Sequence, residues 1–225
     1  MKLYERCRPK EWAEVVGQDK AVATLRRLTE RGELGGSAVW LSGQPGIGKT
    51  TLAHLMARHH CGADGAGIVE LDAADELRAE HLEAMDTALT FRPIWGERER
   101  RCWIINEAHG LKGGTLRRLL GILERVARDP ESRILFVFTT TNEGQEDLFG
   151  NQSDTGALLS RCHCIKLTNQ GLARAFAERA LTIARAEGLD GQPVEAYVKL
   201  AQSCKNNFRA MLQKIAAGEM IGGGA

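Results

Sequence analysis

Eight consecutive residues, Gly43-Gln44-Pro45-Gly46-Ile47-Gly48-Lys49-Thr50, carry a pattern whose chemistry is phosphate binding. Glycines at 43, 46 and 48 let backbone N–H groups turn inward around phosphate oxygens, and a helix beginning near Lys49 would aim its positive end at them. The pattern predicts that Lys49 reaches the β- and γ-phosphates of ATP. It also predicts that the Thr50 hydroxyl holds Mg²⁺, with Thr51 following on the helix. A glycine turn without a ligand is the plainer alternative. The setting decides between them, because the apolar run Ala38-Val39-Trp40-Leu41 precedes the loop and a helical pattern follows it. Strand, loop and helix in that order are the context this chemistry needs.

A second chemical feature lies at the end of another apolar run, Cys102-Trp103-Ile104-Ile105, where Asn106 and Glu107 follow. P-loop enzymes usually place two carboxylates there, the first serving Mg²⁺ and the second polarising the attacking water. Glu107 is available as the base. Asn106 stands in the first position, where it keeps a carbonyl acceptor for a metal-bound water but loses a full negative charge. The expectation is slow hydrolysis through weaker Mg²⁺ retention. A subunit that binds ATP without turning it over is the alternative.

These residues need elements to hold them. Asp19 to Arg31 has the apolar stripe of an amphipathic helix, ended by Gly32. Ala38–Leu41, Ile68–Leu71, Cys102–Ile105, Ile134–Phe138 and Cys164–Leu167 read as strands. Cys102–Ile105 and Ile134–Phe138 lack the alternation of half-exposed strands, which suits a sheet buried on both faces. Helical patterns at Leu77–Leu89 and Leu116–Ala127 lie between them. The series predicts an α/β fold with a parallel five-stranded sheet sandwiched by helices. After Thr168 only helices follow: Leu172–Ala186, Val194–Ser203 after Pro193, and Phe208–Ala217. The expected division is a nucleotide-binding domain over 1–168, a small three-helix domain over 169–219, and a flexible tail over 220–225.

Composition narrows the function. Hydrophobic residues make up 43% and charged residues 26% of the 225 residues, so the chain can build a core and is not a disordered type. The formal net charge is +1, so overall electrostatics does not argue for nucleic acid. DNA contact would need local clusters such as Arg98, Arg100 and Arg101, or Arg117 and Arg118, which otherwise form a solvated face. The six cysteines make no paired metal-ligand spacing. Cys162-His163-Cys164 puts both thiols on one side of a strand without further partners, and His54, His59 and His60 fall on one helix as ordinary structural residues. No apolar run is long enough for a bilayer and the N-terminus is not a secretory signal, so no membrane partner and a cytoplasmic location are expected.

The chain resembles the clamp-loader group of AAA+ ATPases over nearly its whole length. Arg8-Pro9-Lys10-Glu11-Trp12-Ala13-Glu14-Val15-Val16-Gly17-Gln18 looks like the family's N-terminal box. This implies that Arg8, Pro9, Val16 and Gly17 pack over the adenine. Glu70-Leu71-Asp72-Ala73-Ala74-Asp75 is similar to replication-factor-C-type subunits, and Asn106-Glu107-Ala108-His109-Gly110-Leu111 looks more like the bacterial τ/γ subunit. Ser160-Arg161-Cys162 matches the family's SRC motif, implying that Arg161 is an arginine finger acting in trans on a neighbouring subunit. Thr141-Asn142 occupies the sensor-1 position; Asn142 would orient the hydrolytic water, with Thr141 as the alternative. Asn206 to Leu212 resembles the sensor-2 helix of a lid, implying that Arg209 reaches the γ-phosphate in cis.

The resemblance implies a clamp-loader-like ATPase that uses ATP-dependent assembly with other AAA+ subunits to load a sliding clamp onto primer–template DNA. Alternatives are a non-hydrolysing assembly subunit, or another AAA+ DNA motor such as a branch-migration helicase or a helicase loader. Three departures accompany it. The family's C-terminal collar domain lies beyond the sequence given, which suggests a short form or a fragment. The four-cysteine zinc module of the bacterial subunit is missing, and the loop Glu143 to Gly156 is long and polar.

Overall fold

The computed structural model describes residues 1–32, 34–73, 77–91, 99–141 and 153–222. Five strands form: β1 (Ser37–Ser42), β2 (Ile68–Asp72), β3 (Arg101–Asn106), β4 (Ile134–Thr140) and β5 (His163–Lys166). All neighbours are parallel, in the order β2-β3-β4-β1-β5. Each apolar run becomes a strand close to its expected bounds, and β1, β3 and β4, rich in branched and aromatic residues, are the ones covered on both sides. The order places β1 beside β4 and β5, neither of them its neighbour in sequence, so the loop after β1 opens into the crevice at the carboxyl ends of the strands.

Helices α1 (Leu3–Arg6), α2 (Asp19–Glu30), α3 (Lys49–Cys61), α4 (Ala79–Thr90), α5 (Gly113–Arg128) and α6 (Ser153–Leu159) belong to this part of the chain. The two-residue period of the strands sorts the core into two layers. Val39, Leu41, Ile104, Leu135 and Val137 pack with Leu25 of α2 and with Leu52 and Met56 of α3. On the other face Trp40, Trp103, Ile105, Phe136 and Phe138 pack with Leu82 and Met85 of α4 and with Leu119 and Ile122 of α5. Trp103 stacks on Phe136 with centroids 5.5 Å apart, and Phe136 on Phe138 at 6.2 Å. Strands β2 and β5 are the edges, and on β5 His163, Cys164 and Lys166 are exposed.

Three helices follow, α7 (Ala173–Ala186), α8 (Val194–Ser203) and α9 (Phe208–Ala216). Leu172, Phe176, Tyr197, Met211 and Leu212 join the same buried cluster as Val39 and Leu52, so the apolar core runs unbroken from the sheet into these helices.

Two expectations change. Residues 153–156 were expected in a long loop, yet Ser153–Leu159 is helical, because Leu158 seals the α5 side of the core and fixes the turn that carries it. Met220, expected at the start of a flexible tail, is buried in the first core layer. Among the described residues no helix is long and apolar enough to cross a membrane.

Phe136 is fully buried between two other aromatic rings. Phe136→Ala is expected to cost about 3–5 kcal/mol of stability. Urea denaturation would read this as a lowered midpoint at unchanged slope, and a loss under 1 kcal/mol would contradict the packing described.

Candidate functional site

A cavity of about 460 Å³ opens at the carboxyl ends of the strands. Its walls come from four places: the N-terminal segment, the loop from Pro45 into α3, the ends of β2 to β4, and the helices after Thr168. Of the residues singled out in the sequence, Arg8, Pro9, Val16, Pro45 to Thr51, Asn106, Glu107 and Arg209 line it. Gly43 and Gln44 are outside the lining, and their carbonyls accept from Lys49. Gly17 serves packing, for its φ is +78° and a Cβ there would meet Leu172 Cδ2 at 2.5 Å.

The loop holds Lys49 in a distinctive state. Gly46 and Gly48 adopt φ of +73° and +107°, conformations open to glycine, and α3 begins directly after them. The Lys49 ammonium donates to the carbonyls of Gly43 and Gln44, each at 2.8 Å. Both acceptors are neutral. Burial pushes Lys49 down to about 8, with Glu107 opposing and Arg209 adding to the shift. A desolvated cation without a bonded counter-charge, at the start of a helix, is a site built for an anion.

At the end of β3 the side chains form a chain of bonds. Asn106 Nδ2 donates to Glu70 Oε1 at 2.7 Å, and Asn106 Oδ1 accepts from Thr139 Oγ1 at 2.8 Å. The other Glu70 oxygen meets His54 Nε2 at 3.0 Å. The bonds from His54 and Asn106 hold the Glu70 carboxyl below its ordinary range, against the effect of its burial. Thr139 takes one of the two lone pairs of the Asn106 carbonyl, the oxygen expected to reach a metal-bound water. Thr50, Glu70, Asp72 and Asn106 all bring oxygen-bearing side chains to the cavity lining, the last three from the paired ends of β2 and β3. Such a set suits a hard cation such as Mg²⁺.

Glu107 follows with φ of +48°, a left-handed conformation that a non-glycine residue holds only when its surroundings impose it. The turn aims a half-exposed carboxylate into the cavity, with His109 Nδ1 3.4 Å from its Oε2. Asn142 lies outside the described residues. Its alternative, Thr141, lines the cavity at the end of β4.

The helices after Thr168 reach the loop directly. Phe208 N donates to Gly46 O at 3.0 Å, and Asn207 packs so closely on Gly46 that a Cβ there would lie 1.9 Å from Asn207 Oδ1. Two successive left-handed residues, Lys205 and Asn206, make the turn that delivers this contact. Arg209 lies over the Tyr4 ring, 5.4 Å from its centroid, on the cavity wall. Gln18 fastens the junction, donating to Thr168 O at 2.9 Å and accepting from Thr168 N at 3.2 Å. Arg161 is absent from the cavity lining. It sits just before edge strand β5, where it pairs with Glu124 and donates to Ala157 O at 2.6 Å.

Residues 39–152 match the family described as ATPase family associated with various cellular activities (AAA). The chain belongs to the AAA family. This AAA chain is 30% identical over 163 residues to DNA polymerase III subunit gamma/tau of Mycobacterium tuberculosis, covering 63% of this chain and 27% of that protein. It is 28% identical over 221 residues to the replication factor C large subunit of Methanosarcina mazei, covering 95% and 33%. It thus spans about a quarter to a third of the length of these relatives. Among solved structures, a mutant of Thermotoga maritima RuvB superposes with TM-score 0.71 at 22% identity, covering 94% of this chain and 65% of that one.

Sequence reasoning passed over Tyr4, Glu70 and Thr139, which line this AAA cavity, and His54, which bonds to Glu70. Only His54 carried a local signal, standing four residues after Thr50 on one face of α3.

The state of Lys49 predicts a proton linkage. Its pKa of about 8 in the folded chain lies below the ordinary 10.5, so stability should rise with pH across that window. An anion that requires the ammonium must restore the proton. Binding of ATP at pH 9 is therefore expected to take up about one proton, and almost none at pH 7. Calorimetry in buffers of different ionisation enthalpy checks this, and equal proton uptake at the two pH values would count against it.

Proposed function

We propose that this chain is an ATP-binding and ATP-hydrolysing subunit of a clamp-loader-type assembly, with residues 1–168 as nucleotide-binding domain and 169–219 as lid. The observation that carries the reading is the separation of two arginines. Arg209 lines the chain's own cavity, whereas Arg161 is held outside it at the sheet edge by Glu124. A site with one cation in cis and another presented outward is suited to completion by a neighbour.

In this reading Lys49 contacts the β- and γ-phosphates, Thr50 holds Mg²⁺, and Gly43 to Thr51 wrap the phosphates. Arg8, Pro9, Val16 and Gly17 enclose the adenine. Glu107 acts as base on the attacking water, with Asn142 or Thr141 orienting it. Magnesium would supply charge neutralisation for phosphoryl transfer. Arg209 ties the γ-phosphate to the lid, and Arg161 enters the neighbouring subunit's site. Other AAA+ subunits, a ring-shaped sliding clamp and primer–template DNA are the proposed partners. Similarity to proteins named as a DNA polymerase III subunit and a replication factor C subunit supports this direction. The likeness to RuvB, at 22% identity, bears on the fold alone and does not favour another DNA motor.

A second reading, an assembly subunit that binds ATP without turning it over, is favoured by Asn106. Turnover separates the two. In the assembled particle with primed DNA, Arg161→Ala is expected to lower stimulated hydrolysis by on the order of 10³-fold. As an isolated subunit, the same variant should bind ATP within about twofold of wild type, since Arg161 lies off its own cavity. Tight ATP binding by wild type with no stimulated hydrolysis would establish the second reading over the first.

A further inference from the structure

The acid missing at position 106 has a substitute in the neighbouring strand. Parallel pairing of β2 with β3 sets Glu70 opposite Ile104 and Asp72 opposite Asn106, so these side chains leave the same face of the sheet towards α3. Glu70 accepts the Asn106 amide N–H at 2.7 Å. An ionised carboxylate can only accept, so the amide nitrogen must face Glu70 and the amide oxygen must face Thr139, 2.8 Å from its hydroxyl. Asn106 thus turns its donors, not its oxygen, towards the acidic side. The carboxylate bonded to Asn106 is that of Glu70, which also meets His54 at 3.0 Å, while Asp72 adds a second carboxylate to the cavity lining. His54 lies one turn beyond Thr50 on the same side of α3. The bonds therefore run Thr139, Asn106, Glu70, His54, ending one turn along the helix from the residue assigned to the metal.

We infer that Glu70 supplies the metal-positioning carboxylate that Asn106 lacks, held in place by His54 and Asn106, and that it accepts hydrogen bonds from the water shell of Mg²⁺. The inference rests on the ATP-binding reading above. A carboxylate beside a metal acts through charge and by orienting bound water, so it does not need to occupy one fixed backbone position. The bond to Asn106 explains why asparagine suits position 106 here. An aspartate would place a second carboxylate against Glu70, with repulsion in place of a hydrogen bond.

The experiment uses a fluorescent ATP analogue and reads the magnesium concentration that gives half of the full effect on nucleotide affinity. Glu70→Gln is expected to raise that concentration by about tenfold or more. Adding Asn106→Asp to it should bring the requirement back towards wild type. Asn106→Asp alone should shift the requirement less than it does in the Glu70→Gln background, since in wild type the role is already filled. Where the glutamine variant fails to fold, Glu70→Asp keeps the charge, withdraws its reach, and is expected to raise the requirement as well. A Glu70 variant that folds and keeps the wild-type magnesium requirement would overturn the inference and leave His54–Glu70 as a strut between α3 and β2. Failure of the wild-type chain to bind ATP at any magnesium concentration would overturn the nucleotide reading itself, and shows before any variant is compared.

Discussion

An ammonium group buried against two carbonyls sets the terms for the rest of this structure. Lys49 is desolvated, and its two bonded partners carry only partial charge. That arrangement is costly to leave as it is and favourable to complete with an anion. It requires a loop whose backbone can fold back on the side chain, hence the left-handed glycines at 46 and 48. It also requires a rigid strand to start from, which the buried β1 provides between β4 and β5.

The remaining parts of the cavity are placed relative to that loop. The N-terminal segment brings Arg8, Pro9 and Val16 to one wall, and the ends of β2, β3 and β4 bring Glu70, Asn106 and Thr139 to another. The helical part touches the loop itself through the bond from Phe208 N to Gly46 O. Gln18 ties the backbone at Thr168 to the same neighbourhood. Segments more than a hundred residues apart in sequence thus share a few hydrogen bonds around one loop.

The sequence was most readable where the physics is local. Strands buried on both faces write themselves as apolar runs, and the phosphate loop is a fixed spacing of glycines before a lysine. The match of residues 39–152 to the AAA family agrees with that reading. Long-range pairings left no such trace. Glu70 and Asn106 are 36 residues apart and Asn106 and Thr139 are 33 apart, so only the register of adjacent strands joins them. For that reason the partners of Asn106, Glu70 on one side and Thr139 on the other, were not legible. Arg161 stood out by its neighbours Ser160 and Cys162, but nothing local announced Glu124, 37 residues earlier, as its partner. Helix α6 was hidden because it is short, contains Gly156 and is held by one buried leucine.

The unbroken core between the sheet and the last three helices constrains how the two parts can move. Phe176 of α7 and Phe208 of α9 are in tilted contact at 5.0 Å, and both belong to the layer that also buries Val39 and Leu52. A wide swing would pull this apolar surface into water, at about 25 cal/mol for each Å² exposed. Sliding of packed side chains past one another keeps the surface dry. The motion open to these helices is therefore shear, in small steps between alternative packings rather than a hinged opening.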